Sequence, residues 1–212
     1  MFYREIDMTQ FPICDTDIWV DAVLSKTDEL LIKKYGKIIV CDVVEYEIMC
    51  FKSNQYFNQV ATRYEEYKLR QEIIVIEHDR IDSTDRQLLE KQLMDCDSRF
   101  LSGLADKPHE RHKGEIASAI YATYFEIPFL KSNDGAFKDG EMGRLAFPDL
   151  IVKNLEDMLN DLIEVPLKRN ECRQMIKDNR AFMAEGQRIY EEEQNKPATE
   201  EQIKALFAKF KM

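Results

Sequence analysis

The sequence lacks any run of about eighteen apolar residues, which is close to the length that a membrane-spanning helix requires. It also lacks a basic start followed by an apolar stretch, which is the pattern of a secretory signal peptide. Both absences predict a cytoplasmic protein with no membrane partner. No internal repeat and no low-complexity segment is visible.

Cysteine is scarce and widely spaced. The 212 residues include five cysteines, and no Cys-x-x-Cys pair occurs among them. This spacing argues against a zinc knuckle, and the odd count without an export signal argues against a disulfide framework. Cys14 and Cys41 lie inside strand-like runs and are predicted to be small buried hydrophobic residues.

A basic excess, which nucleic-acid-binding proteins usually carry, is also missing. The net charge is −10, from 40 acidic and 30 basic residues. Residues 166–212 contain ten Lys/Arg and eight Asp/Glu, a net of +2, so residues 1–165 carry −12. Part of this negative charge belongs to a predicted acidic cluster, which a bound metal would neutralise.

Short β-branched runs alternate with helical patterns along residues 1–165. The predicted strands are 11–14, 38–43, 73–76, 128–130 and 149–152. The predicted helices are 18–31, 44–51, 54–72, 82–100, 115–125 and 155–162, with a loop over 138–143. This alternation predicts an α/β fold with a mostly parallel sheet.

Pro166 marks a predicted domain boundary. Residues 1–165 would form the α/β domain, and residues 166–212 a helical C-terminal extension. Within that extension the pattern predicts helices over 168–194 and 199–211, which Asn195-Lys196-Pro197 would separate.

Four acidic residues each stand at the edge of an apolar run. They are Asp15, Glu47, Glu115 and Asp134. Carboxylates at strand and helix ends of an α/β fold converge on one edge of the sheet, where ligands bind. Four carboxylates cannot share one site without a cation. Oxygen ligands favour a hard divalent metal, Mg²⁺ or Mn²⁺, whose common chemistry is on phosphate esters.

Each of these acids also has a simpler structural interpretation. Asp15 could cap the following helix, and Glu115 could favour the dipole of the helix that it begins. Asp134 lies in Asn-Asp-Gly, an ordinary turn sequence. Asp17 and the Thr16 hydroxyl add oxygen atoms near Asp15 that would suit a metal site.

The helix after the second strand carries two acids, of which Glu47 is the better site candidate. Residues two apart on a helix face different directions, so Glu45 and Glu47 cannot both face the core. Glu47 lies closer to the Val44 and Ile48 face, where a carboxylate is costly unless it is paired or metal-bound. The alternative for Glu47 is a surface ion pair, for example with Lys52.

Taken in order, these motifs resemble those of PIN domains, the nuclease fold of toxin–antitoxin ribonucleases and of several RNA-processing enzymes. The resemblance covers roughly residues 11–164. The matching motifs are Ile13-Cys-Asp15-Thr-Asp17-Ile-Trp, Val44-Glu-Tyr-Glu47-Ile, Gly114-Glu115-Ile-Ala-Ser-Ala-Ile, Leu130-Lys-Ser132-Asn-Asp134 and the closing stretch from Leu150. The resemblance implies a PIN-like three-layer sandwich.

The resemblance further implies a metal-dependent ribonuclease. Its catalytic acids would be Asp15, Glu47, Glu115 and Asp134, and its metal ligands would be Asp15, Glu115, Asp134 and Asp17. The number of metals stays open, because Asn133 and Gly135 stand where some related sequences carry consecutive acids. Substrate phosphates would contact Ser132, Arg111, Lys113 and Lys131.

Partners follow from the same resemblance. RNA is the expected substrate, and the helices of 166–212 could bind an antitoxin, another protein or a second copy of the chain. One alternative is a catalytically weak PIN-like domain with a binding or regulatory role, which the −12 of residues 1–165 favours. A second is a haloacid-dehalogenase-like phosphatase, because Asp15-x-Asp17 follows a strand, although no later acids match that family's spacing.

Overall fold

The computed structural model describes residues 6–54, 56–100, 113–132, 137 and 142–194. Side chains are described for all of these except 94–100, 113, 142, 187 and 189–194. Within these ranges the chain is an α/β protein built around one sheet of five parallel strands. The strands are β1 (Ile13–Cys14), β2 (Ile38–Cys41), β3 (Ile73–Ile76), β4 (Leu130–Lys131) and β5 (Val152–Lys153). The prediction of an α/β fold with a parallel sheet is confirmed, whereas the three-layer sandwich remains a prediction.

Nine α-helices are assigned in the part of the chain that the structure describes. They are α1 (Thr16–Leu24), α2 (Asp28–Tyr35), α3 (Asp42–Cys50), α4 (Asn58–Leu69), α5 (Ser83–Phe100), α6 (Lys113–Tyr124), α7 (Met142–Ala146), α8 (Leu155–Leu162) and α9 (Pro166–Gln194). Helix α7 begins inside the segment that was predicted as the loop 138–143.

The predicted helix over 18–31 is two helices in the structure. Lys26 adopts a positive φ of 58°, a conformation that interrupts a right-handed helix. The hydroxyl of Ser25 donates to the carbonyl of Asp21 at 2.6 Å, and the N–H of Thr27 donates to the carbonyl of Ala22 at 2.8 Å. These bonds close the end of α1, so Leu31 belongs to a separate helix.

Strand β2 shows why these sequences form a parallel sheet. All four of its residues are buried, as expected for a strand that is covered on both faces. It pairs with β3 over four residues, from Ile38 opposite Ile73 to Cys41 opposite Ile76. The β-branched side chains fit the pleated surface, and their burial supplies much of the hydrophobic stabilisation.

The strand order places a topological switch point beside β1. The order is β3-β2-β1-β4-β5, so the chain builds outward from β1 in one direction and then restarts on its other side with β4. In such sheets ligands bind in the crevice outside the carboxyl ends of the two strands at the reversal. Asp15 directly follows β1 and Ser132 directly follows β4.

The chain divides into two compact units, Met1–Ile176 and Lys177–Met212, and the division falls inside α9. The predicted boundary at Pro166 is the first residue of α9, and the first unit continues beyond it to the buried Ile176. All residues of the candidate site that the structure describes lie in the first unit. Among the described helices, none is long and apolar enough to cross a bilayer.

Candidate active site at the carboxyl edge of the sheet

Asp15 lies at the switch point as the N-cap of α1. Its backbone is extended, and its Oδ1 accepts a hydrogen bond from the N–H of Ile18 at 3.0 Å. The backbone N–H of Asp15 donates to the carbonyl of Lys131 at 3.0 Å, which ties the end of β1 to β4. The residue is only 2% exposed. Asp15 therefore caps the helix, and the same position fixes its carboxyl group in the crevice.

The surroundings of Asp15 disfavour its charged form. The pKa of Asp15 is raised to about 8, chiefly by burial and to a smaller extent by the nearby charges of Asp17 and Glu115. The neighbouring Ser132 hydroxyl and the Ile18 N–H act in the opposite direction. Asp17 lies on α1 and Glu115 on α6, so negative charge on both helices disfavours ionisation of Asp15.

The second oxygen of the Asp15 carboxyl group lacks a hydrogen bond of good geometry in the described part of the protein. Oδ2 is buried and accepts no hydrogen bond from any described residue. A buried carboxylate oxygen without a donor costs free energy, unless a proton or a cation neutralises it. A hard divalent cation is one group whose charge would compensate such an oxygen.

Glu47 approaches the same region from α3. The hydroxyl of Thr16, the first residue of α1, donates a hydrogen bond to Oε2 of Glu47. Glu45 instead forms an ion pair with Lys68, with 2.5 Å between Nζ and Oε1. Lys52, the alternative partner considered for Glu47, pairs with Glu65 at 2.6 Å. The structure thus places Glu47, and not Glu45, next to the first turn of α1.

Gly114 and Glu115 bring the start of α6 to Glu47 and Asp15. Gly114 is buried, and a Cβ atom built on it would lie 3.1 Å and 3.2 Å from the two Glu47 carboxylate oxygens. It would also lie 3.2 Å from Cγ2 of Val44. A side chain at position 114 would therefore require the Glu47 carboxylate or Val44 to move by a few tenths of an ångström. Gly114 is absent from the predicted site residues, and its signal in the sequence is a glycine in the first turn of a helix.

Ser132 is placed beside Asp15 by the pairing of β4 with its neighbours. Its N–H donates to the carbonyl of Lys153 at 3.1 Å, and the residue is 2% exposed. At this depth its hydroxyl acts on the Asp15 carboxyl group, whose pKa it lowers. The structure therefore gives Ser132 a role beside the acid, and its burial does not favour the predicted direct contact with substrate.

Lys131 lies on the other side of the sheet from Ser132, because successive strand residues point to opposite faces. It is fully buried, and its Nζ lies 5.0 Å from the centre of the Tyr35 ring and 5.2 Å from that of Phe129. Nζ has no hydrogen-bond partner among the described residues. A side chain buried in this way cannot reach a phosphate in the crevice, so we leave Lys131 out of the proposed site.

Burial lowers the pKa of Lys131, which leads to a testable prediction for Lys131→Met. The folded protein binds fewer protons at Lys131 than the unfolded chain does, so stability rises with pH up to the ordinary lysine range. We expect the free energy of unfolding of Lys131→Met to exceed that of wild type by about 1–2 kcal/mol at pH 7, because an apolar side chain of similar size replaces a buried amine without a hydrogen-bond partner. Urea titrations between pH 6 and pH 10 should show a flatter profile for the variant. A loss of stability at pH 7 would contradict this.

Several predicted site residues lie outside the described part of the chain. Asp134 and Arg111 are among them, and Lys113 is described only in its backbone, as the first residue of α6. Within the described residues, no three His, Cys, Asp or Glu side chains form a group that could hold a metal ion. The assignment of ligands to a metal is therefore a proposal.

Comparisons with known proteins give little further information. No protein-family model matches the chain, and no curated protein matches it. Among solved structures, the chain is similar to the crystal structure of VapBC2 from Rickettsia felis bound to a DNA fragment from their promoter. The sequences are 13% identical, the TM-score is 0.43, and the match covers 68% of this chain and 98% of the other.

Proposed function

We propose that the protein is a metal-dependent endoribonuclease of the PIN type. The observation that carries this proposal is the arrangement at the switch point. There Asp15, with one buried carboxylate oxygen lacking a donor, lies within electrostatic reach of Glu115 from α6. Glu47 is held next to the first turn of α1 by Thr16. These acids belong to the start of α1, to α3 and to α6, and in such folds ligands bind at the carboxyl edge of the sheet.

The residues that would hold Mg²⁺ or Mn²⁺ are Asp15, Glu115 and Asp134, with Asp17 as an additional member. Such an ion would polarise the phosphate and offset the charge on the leaving oxygen. Asp15 supplies a carboxylate whose burial excludes competing water and whose position is fixed by its N-cap hydrogen bond. The negative charge around Asp15 attracts a cation and repels a phosphate group that has no cation bound to it.

Glu47 has a different environment and a different proposed role. It is half-buried, so water can reach its carboxylate, while Thr16 keeps one of its oxygens in place. We propose that Glu47 orients the attacking water molecule and accepts its proton. Ser132 supports the site by acting on the Asp15 carboxyl group.

RNA as the substrate rests on the resemblance to PIN domains. Arg111 and Lys113 precede Glu115 in the sequence and are the proposed phosphate contacts. The partner proposed for residues 166–212 is another protein chain, either an antitoxin or a second copy of this chain. Light scattering of the purified protein distinguishes a dimer from a monomer.

The second candidate is a catalytically weak binding or regulatory domain. The observation that favours it is charge, because residues 1–165 carry a net −12 and a surface that binds nucleic acid is usually basic. Calorimetry separates the two candidates, because an absence of Mn²⁺ binding would favour the regulatory interpretation.

The acids of α3 provide a matched test of the nuclease proposal. We expect the wild-type protein to cleave single-stranded RNA in Mn²⁺ and to stop when EDTA is added. Glu47→Gln should reduce kcat by at least about 100-fold, because it removes the proposed proton acceptor. Glu45→Gln, two residues away on the same helix, should stay within about threefold of wild type because Glu45 pairs with Lys68 instead.

Three outcomes would contradict this proposal. Cleavage that persists in EDTA excludes a metal-dependent reaction. Equal rates for the two variants remove Glu47 from the site. A wild-type protein that binds no Mn²⁺ and cleaves neither RNA nor single-stranded DNA would favour the regulatory alternative.

A further inference from the structure

The Glu47 carboxylate is held between two residues that were not among the predicted catalytic residues or ligands. On one side the Thr16 hydroxyl donates to Oε2. On the other side the carboxylate lies close to the backbone of Gly114, where a built Cβ atom would be 3.1 Å from Oε1 and 3.2 Å from Oε2. Contacts this short are tighter than ordinary van der Waals separations, so the carboxylate occupies the space that a side chain at 114 would need.

The position of Glu47 is therefore set by α1 and α6 as well as by its own helix α3. Thr16 directly follows Asp15, and Gly114 directly precedes Glu115. Each contact on Glu47 thus comes from the chain neighbour of another acid in the proposed site. Moving Glu47 would loosen its relation to both of them.

We propose that Thr16 and Gly114 are positioning residues that fix the Glu47 carboxylate for the proposed metal-dependent reaction. The inference rests on the function proposed above. Thr16 acts by a directional hydrogen bond, and Gly114 acts by the absence of a side chain. Residues in such supporting positions typically change metal affinity or activity by about 10- to 100-fold when they are replaced.

Gly114 allows a test that separates stability from function. Its φ lies outside the left-handed region, and alanine is favoured over glycine in a helix by up to about 1 kcal/mol. We expect Gly114→Ala to stay folded in EDTA with an unfolding temperature close to that of wild type, because the gain in helix propensity offsets the tight contact with Val44. Its kcat with RNA and Mn²⁺ should nevertheless fall about 10- to 100-fold, because the added methyl group displaces Glu47.

Gly186→Ala is the matched control, since Gly186 also lies in a helix and a Cβ built there meets nothing within 4 Å. This variant should gain the same helix propensity and keep wild-type activity. A loss of function in Gly114→Ala alone then reports the contact with Glu47.

Thr16 is tested by paired substitutions. Thr16→Val keeps the shape and loses the hydroxyl, whereas Thr16→Ser keeps the hydroxyl. We expect Val to reduce kcat about 10- to 100-fold with KM changed less than about threefold, and Ser to restore most of the activity. Thr123→Val is the control, because that hydroxyl only bonds the Ala119 carbonyl in its own helix, at 2.9 Å.

Calorimetric titration with Mn²⁺ gives a second measurement that does not depend on cleavage. Thr16→Val and Gly114→Ala should bind Mn²⁺ at least about fivefold more weakly than wild type, and the controls should not. If both variants bind and turn over like wild type, the inference is overturned. It is also overturned if the wild-type protein binds no Mn²⁺. If wild type binds Mn²⁺ without cleaving RNA, the proposed function fails, and the affinities of the variants alone decide the inference.

Discussion

Asp15→Asn is expected to abolish RNA cleavage and, in the absence of metal, to make the protein more stable. Cleavage should fall by at least about 1,000-fold, because the variant loses the buried carboxylate proposed to hold the cation. Asparagine remains a good N-cap and can still accept the hydrogen bond from the Ile18 N–H. The loss of activity should therefore occur without loss of the helix.

The stability change follows from the raised pKa of Asp15. Its pKa rises from 3.8 to about 8 in the folded protein. Between these values the folded state binds more protons than the unfolded state, so this group's contribution to stability is lost as the pH rises from about 4 to about 8. At about 1.4 kcal/mol per pH unit, the total is at most roughly 6 kcal/mol.

The asparagine variant lacks this dependence, but it leaves an amide in the place of Oδ2. A buried amide without a partner costs about 1–3 kcal/mol. We therefore expect Asp15→Asn to exceed wild type by up to about 3–5 kcal/mol at pH 9 in EDTA, and to be less stable than wild type by about 1–3 kcal/mol near pH 4, where only the amide penalty remains. Urea titrations across this range measure it.

Added Mn²⁺ provides the internal control for this experiment. The wild-type protein should gain stability with increasing Mn²⁺, because a ligand that binds only the folded state stabilises it. Asp15→Asn should gain much less. Cleavage that survives in Asp15→Asn would remove Asp15 from the active site, and a pH-independent difference in stability would refute the account of its burial.

Replacement of Trp19 is expected to give the largest loss of stability in the protein. Trp19 is fully buried, and its ring packs edge-on against Tyr64 at 5.9 Å and Tyr67 at 5.8 Å. Its indole N–H donates to the carbonyl of Val60 at 3.1 Å. These contacts fasten α1 to α4. Trp19→Ala should cost about 3–5 kcal/mol, which approaches the total stability of many domains.

Trp19→Phe separates the contribution of ring packing from that of the indole hydrogen bond. It keeps a ring between α1 and α4 but loses the hydrogen bond to Val60, so we expect a cost of about 1–2 kcal/mol. Tyr46→Ala is the control, because Tyr46 is 73% exposed and its removal should cost less than about 0.5 kcal/mol. Urea denaturation measures all three. A Trp19→Ala variant as stable as Tyr46→Ala would contradict the assigned packing.

The sequence was sufficient to predict the elements with the strongest periodic patterns. The runs 73–76 and 155–162 coincide with β3 and α8, because the first consists of β-branched residues and the second is a strongly amphipathic helix with an Asn154 cap. Errors arose where local hydrogen bonding decided the outcome. Ser25 and Lys26 end α1 by a side-chain bond and a left-handed backbone, which no hydrophobic pattern reveals.

For the site, the sequence indicated which acids stand at the ends of strands and helices, because those ends leave a recognisable pattern of apolar runs. It also favoured Glu47 over Glu45 from helical geometry. The sequence did not reveal on which face of the sheet the Lys131 side chain lies. Neighbouring strand residues point to opposite faces, and the sequence alone does not show which of them point toward the crevice.

The sequence by itself determined the fold class and the acids at the edge of the sheet, since both follow from local periodicity. Only the tertiary structure decided how these acids are held. The order of the strands made β1 and β4 neighbours and buried Asp15 beside Ser132. The close approach of α6 to α3 at Gly114 set the place of Glu47. Such contacts join residues distant in the chain, and their geometry depends on how the whole core packs.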